Sequence, residues 1–103
     1  MRGIPPAPEP LPVPVVDNHL HLDIARHGEE RADVGETIAA AAAVGVPRMV
    51  QIGCDLPGAR ETVAMIEEYA ALLGGVSLHP NEIGRFPSSA ALAEGLAEIE
   101  ALA

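Results

Sequence analysis

A parallel α/β architecture is predicted for this chain of 103 residues, and three observations carry it. Short apolar runs recur along the sequence, each ending in polar or metal-competent residues: Val13, Val15 and Val16 before Asp17-Asn18-His19-Leu20-His21, Arg48 to Ile52 before Gly53-Cys54-Asp55, and Val76-Ser77-Leu78 before His79-Pro80-Asn81-Glu82. The segments between them, Val34 to Val46 and Leu56 to Leu73, carry apolar residues at helical spacing and are long enough to be crossover helices. Near-continuous apolar strands alternating with helices give the order β-α-β-α-β, in which helices cover the strands of a parallel sheet.

The first strand follows from the β-branched valines, which favour an extended backbone. Asp33 with Glu36 three residues on reads as a capping box that opens the first helix, with Ile38, Ala41, Ala42 and Gly45 on one stripe. The alanines from Ala39 to Ala43 are strong helix formers. Asp55 is placed to cap the second helix, and Pro57 is tolerated in its first turn. Val63, Ile66, Ala70 and Leu73 form the apolar stripe of that helix, and Gly74-Gly75 reads as its left-handed stop. A third helix follows Pro87, capped by Ser88 or Ser89, with Leu92, Leu96, Ile99 and Leu102 as its buried stripe.

The candidate site is the histidine pair. Residues i and i+2 of a strand face the same side, so His19 and His21 converge, which is the arrangement in which two neutral imidazoles share one divalent cation. The competing reading is a pair of surface histidines without a ligand. Ligands of parallel α/β proteins sit at the carboxyl ends of strands, and His19, His21, Asp55 and His79 all fall at that edge. Asp17 and Asp23 share the parity of the histidines, so either is a candidate to orient an imidazole, Asp17 the better placed.

Taken in order, Val-Val-Asp-Asn-His-Leu-His-Leu-Asp, Gln-Ile-Gly-Cys-Asp and Ser-Leu-His-Pro-Asn-Glu resemble the amino-terminal signatures of TatD-family metal-dependent hydrolases. The match runs from about Pro12 to Glu82. The resemblance implies an incomplete (β/α) TIM barrel of the amidohydrolase type, about three βα units long. It also implies one or two divalent metal ions (Zn, Mg or Mn are not distinguished) and a DNA or other phosphodiester substrate, hydrolysed as by a deoxyribonuclease with exonuclease character. His19 and His21 match the metal ligands of the first strand; His79 matches a histidine at the mouth of the site, more a substrate-phosphate contact than a ligand. The family's bridging Glu, carried in Gly-Glu-x-Gly-Leu-Asp, its two later histidines and its late Asp have no counterpart here. A whole barrel needs roughly 250 residues. Residues 1–12 are therefore expected to be a Pro-rich arm and 13–103 the amino-terminal part of such a barrel, inactive alone and needing the remaining strands for stability. The alternatives are another amidohydrolase-type barrel, acting on C–N bonds or small phosphates, and a non-catalytic fragment.

Composition bounds the remaining choices. No apolar stretch reaches membrane-spanning length, and Met1 to Pro14 lacks the apolar core of a secretory signal, which favours a cytoplasmic setting. The alternating prolines from Pro5 to Pro14 impose an extended arm that lies across the barrel floor or stays disordered. Cys54 is the single cysteine, so it has no internal disulfide partner and reads as a small buried thiol in a reducing compartment. The net charge of −9, from six arginines against 15 carboxylates, provides no basic face for nucleic acid. In a metal-centred phosphodiesterase the cations supply the local positive field instead. Arg85 is either a phosphate contact or a solvated loop residue, and His27 reads as solvated loop.

Overall fold

The computed structural model describes residues 5–25 and 29–103, so the reading of His27 falls outside the described residues. Three strands, β1 (Val16–Leu20), β2 (Arg48–Gly53) and β3 (Leu72–Val76), form one sheet in the order β1-β2-β3, with both pairings parallel. Helices α1 (Val34–Ala43) and α2 (Leu56–Glu68) make the crossovers; a 3-10 turn (Pro80–Arg85) and α3 (Ser89–Leu102) follow. The expected α/β order is thus present, as three parallel strands with helices.

The helix starts follow the local chemistry. Asp33 accepts from the Glu36 amide at 2.8 Å, Asp55 from Gly58 at 2.7 Å and Ser88 from Ala91 at 3.0 Å, so each helix has one of its free first-turn amides satisfied by the preceding side chain. The stops differ from expectation. Helix α1 ends at Ala43 because Gly45 takes φ +96°, letting the amides of Gly45 and Val46 close onto the Ala42 and Ala41 carbonyls. Gly45 is a C-terminal cap rather than part of the apolar stripe. Helix α2 ends at Glu68, with Tyr69 already extended, and Leu73 belongs to a strand.

Gly74-Gly75, expected to stop α2, lies inside β3. Neither glycine adopts positive φ; side chains close in on both. A Cβ on Gly74 would stand 2.9 Å from Cγ2 of Thr62 in α2, and one on Gly75 3.0 Å from Cδ1 of Ile52. The third strand therefore begins at Leu72, four residues before the expected Val76. Extended pairing continues past it, with the amides of Ser77 and His79 donating to the carbonyls of Gly53 (3.0 Å) and Cys54 (2.8 Å).

The first strand is also shorter than expected, starting at Val16. Pro12 and Pro14 have no amide to donate to a ladder. The amides of Leu11 and Val15 instead donate to Val44 and Gly45 in the α1–β2 turn, fastening the arm beside the amino end of β2.

The core lies between sheet and helices. Met49, Met65 and Leu72 are buried, with Leu20, Leu22, Val34, Ile38 and Tyr69 packed around them. Register puts Met49 beside Leu72 and Gln51 beside Gly74 on the helix side. The opposite face carries Val50, Ile52, Leu73 and Gly75, of which Leu73 is 51% exposed. On α3 the expected apolar stripe is only partly used: Leu96 is 51% exposed, and the buried residue is Gly95, which lets the Phe86 ring approach.

Helix α3 is tied to α2 by a two-pronged ion pair, Arg60 Nε and Nη2 to Glu98 at 2.5 and 2.7 Å. The guanidinium holds the Glu98 carboxyl below the usual carboxylate range. Its contribution is present above the ordinary carboxylate pKa and is lost as pH falls through the lowered value. Both side chains are solvated, so the effect is small and salt-sensitive. The melting-temperature difference between wild type and Glu98→Gln is accordingly expected to be present at neutral pH and low salt and to vanish in acid.

Candidate functional site

The histidine pair is assembled at the carboxyl end of β1. A register shift between Asp17 and Leu20 fits one extra residue into β1 relative to β2: Asp17 pairs with Met49, and Leu20 with Gln51. Leu20 therefore shares the helix side with Gln51, which turns the flanking His19 and His21 to the opposite face. The two rings lie with centroids 5.0 Å apart and planes at 85°. A cation bound by imidazole sits about 2 Å from each nitrogen, so two rings on one tetrahedral centre have centroids about 5 Å apart. The spacing of this pair suits a shared ion.

The ring of His21 is fixed by the second strand. Its Nδ1 lies 2.8 Å from the Ile52 carbonyl oxygen, an acceptor only, so Nδ1 carries the proton and Nε2 presents its lone pair. A backbone carbonyl that orients an imidazole in this way is the usual support of a metal-ligating histidine. His19 is exposed, and its amide donates to Asp17 Oδ1 at 3.0 Å.

His79 has the opposite polarity. It precedes the 3-10 turn, where its Nδ1 accepts from the Asn81 amide at 3.1 Å and its carbonyl accepts from Glu82. In the neutral ring the proton then sits on Nε2, a donor facing solvent. One edge of the sheet thus offers two kinds of imidazole, a lone pair at His21 and an N–H at His79. The 3-10 turn that begins at Pro80 is what fixes the second.

Neither carboxylate assigned to the imidazoles serves them. The register shift breaks the parity on which Asp17 was placed, and Asp17 caps the His19 amide instead. Asp23 turns toward the helix side, where its Oδ1 accepts from Gln51 Nε2 at 2.7 Å. Gln51 is fully buried; its Oε1 accepts from the Leu22 amide at 2.6 Å, and its Nε2 also approaches Thr62 Oγ1 at 3.3 Å. Thr62 in turn donates to the Gly58 carbonyl at 2.8 Å. This buried network pins the loop that follows His21 to the start of α2. Sequence reasoning passed over Gln51; the available signal was a polar residue at a buried position of an apolar strand.

The family model for TatD related DNase matches residues 16–103. The chain belongs to the TatD related DNase family. No curated protein and no solved structure matches it. The match covers every strand and helix described above, and it carries for the TatD chain the class of a metal-dependent, nuclease-type hydrolase.

A metal centre of such a hydrolase needs more donors than this TatD chain brings together. Among the described residues, no group of three or more His, Cys, Asp or Glu side chains is arranged to hold an ion. Among the described residues the His19–His21 pair offers two nitrogen donors, short of the four or more that such a centre normally takes. Cys54 Sγ lies 3.9 Å from His21 Nδ1, the nitrogen already committed to Ile52. Burial, followed by the nearby charges of Asp23, Asp55 and Glu82, pushes the thiol's pKa up. Among the described residues no helix is long and apolar enough to cross a membrane.

Proposed function

We propose that this chain is the amino-terminal part of a TatD-type phosphodiesterase acting on DNA, built as the first three βα units of a (β/α) TIM barrel. The face bearing Val50, Ile52 and Leu73 is the barrel interior, and the carboxyl ends of the strands are the mouth of the site. His19 and His21 hold a divalent cation through one imidazole nitrogen each, and His79 donates from Nε2 to a phosphate oxygen of the substrate. A bound cation in such a site activates water and neutralises charge on the phosphate. The residues of this chain orient the ligand ring through Ile52, hold the His79 donor through Asn81, and keep the carboxylate of Asp23 away from both. In this reading 5–12 are an arm rather than part of the barrel, and the single thiol suits a reducing, cytoplasmic setting.

The observation that carries the proposal is the opposite hydrogen-bonding of His21 and His79 on one strand edge. A cation needs a lone pair, a phosphate needs a donor, and the chain supplies each where the other is not. Among the described residues both sheet edges are open and no layer covers the inner face, so the chain alone is proposed to be incompetent as a nuclease.

Titration of zinc or manganese into the wild-type chain is expected to perturb the His19 and His21 ring signals with weak affinity, since two ligands leave most of the coordination sphere to water. The His19→Ala/His21→Ala variant is expected to lose that binding at least tenfold, a difference of about 1.4 kcal/mol. Equal binding by both would remove the pair from any metal role. Chelator-sensitive phosphodiesterase activity from the purified 103-residue chain would overturn the claim of incompetence.

A further inference from the structure

A second feature of the same strand edge has no part in the cation site. Asp55, Leu56 and Pro57 from the β2–α2 junction face Leu78, Glu82, Arg85 and Phe86 from the segment after β3 across a cleft of about 230 Å³. The two sides are laced together by the His79 amide on the Cys54 carbonyl. The cleft therefore begins one residue on either side of His79's own backbone contact.

We infer that this cleft is a nucleobase subsite, selective for bases that carry an exocyclic amino group, adjoining the phosphate contact of His79. The inference rests on the phosphodiesterase reading for its substrate class. Four apolar side chains, Leu56, Pro57, Leu78 and Phe86, form the walls, and apolar walls with a few fixed polar groups are what a flat heterocycle needs. The volume falls below the range of about 300–1,000 Å³ usual for drug-sized ligands, which limits the occupant to a single ring system.

The polar groups set the selectivity. Asp55 commits Oδ1 to the Gly58 amide, and Glu82 commits Oε2 to Arg85 at 3.3 Å. Each keeps its second carboxylate oxygen without a partner among the described residues, and both are acceptors only. They accept from the amino groups of cytosine, adenine or guanine, whereas thymine offers a single N3–H between two carbonyls, and those carbonyls meet like polarity. Asp55 and the Glu82–Arg85 pair leave the cleft with one net negative charge, which disfavours a phosphate inside it. A nucleotide therefore lies with its base in the cleft and its phosphate on the side of the His79 donor.

The test is a titration of 2′-deoxycytidine, 2′-deoxyadenosine and thymidine into the isotopically labelled chain, followed by amide chemical shifts with chelator present throughout. The amino-bearing nucleosides are expected to move the Leu56, Leu78 and Glu82 amides, with thymidine about tenfold weaker, the usual worth of one good carboxylate–amine contact. Glu82→Ala, which removes one of the two free carboxylate oxygens, is expected to shrink that preference to less than about threefold. Absence of shifts at these residues, an equal response to thymidine, or a preference unchanged in Glu82→Ala would each overturn the inference. Because chelator removes metal, this titration is independent of the zinc and manganese titration above: base binding here with no cation binding there supports the cleft and sinks the histidine pair, while the reverse sinks the cleft alone.

Discussion

Gln51→Ala is expected to destabilise the fold by about 3 kcal/mol, measured as the urea midpoint at an unchanged slope. Gln51 is fully buried, and its amide is the one partner shared by the Leu22 amide, the Asp23 carboxylate and Thr62. Truncation leaves a donor and a charged acceptor unmatched, each costing about 1–3 kcal/mol, and opens a cavity beside Thr62. The loss also reaches the candidate site, since the network anchors the loop that leaves His21. Metal perturbation of the His21 ring is expected to weaken along with stability. A loss under about 1 kcal/mol would show that the network is replaced by solvent and pins nothing.

Gly53→Ala has a comparable expected cost from the opposite cause. A Cβ at Gly53 would stand 2.8 Å from the backbone of Gly58 and Ala59, which are themselves buried at the start of α2. Backbone does not yield as a flexible side chain does, so α2 must move off β2. Overpacking of this kind costs typically 1–3 kcal/mol, and this position is expected near the upper end, about 3 kcal/mol. Moving α2 also disturbs the Gly53 carbonyl, which accepts from both the amide and the hydroxyl of Ser77 on the way to His79. Gly84→Ala is the control: nothing lies within 4 Å of its Cβ position, and it is expected to change stability by less than about 0.5 kcal/mol. Similar midpoints for the two variants would mean that the β2–α2 approach is not as tight as the geometry requires.

Cysteine chemistry and charge gave the sequence little to say about function, while the motif order gave it most. The three segments that resemble TatD signatures lie within the region matched by that family, and the histidines they contain come to one sheet edge. What the residues could not disclose was the partner of each ring. The carbonyl of Ile52 and the amide of Asn81 are backbone groups, present at nearly every position and therefore invisible as a pattern. Asp17 and Asp23 looked suitable because alternation was assumed to persist through the strand, and one extra residue in β1 undid it.

The glycines show the same division at the level of the fold. Gly45 and Gly74-Gly75 are alike on paper, small residues after an apolar helical stretch. Gly45 turns the chain at φ +96°, whereas the pair lies in a strand, paired with Gln51 and Ile52, where the side chains of Thr62 and Ile52 come close. A glycine required by a turn and a glycine required by a neighbour differ only in what stands beside them.

By itself, then, the sequence determined the parallel α/β order, the three helix caps and the placing of two imidazoles at a strand end, because these depend on residues within a few positions of one another. Only the tertiary structure decided where β3 begins, which way the carboxylates turn and which nitrogen each histidine offers. Those outcomes are set by atoms brought together from separate strands, and the chain meets them only once it has folded.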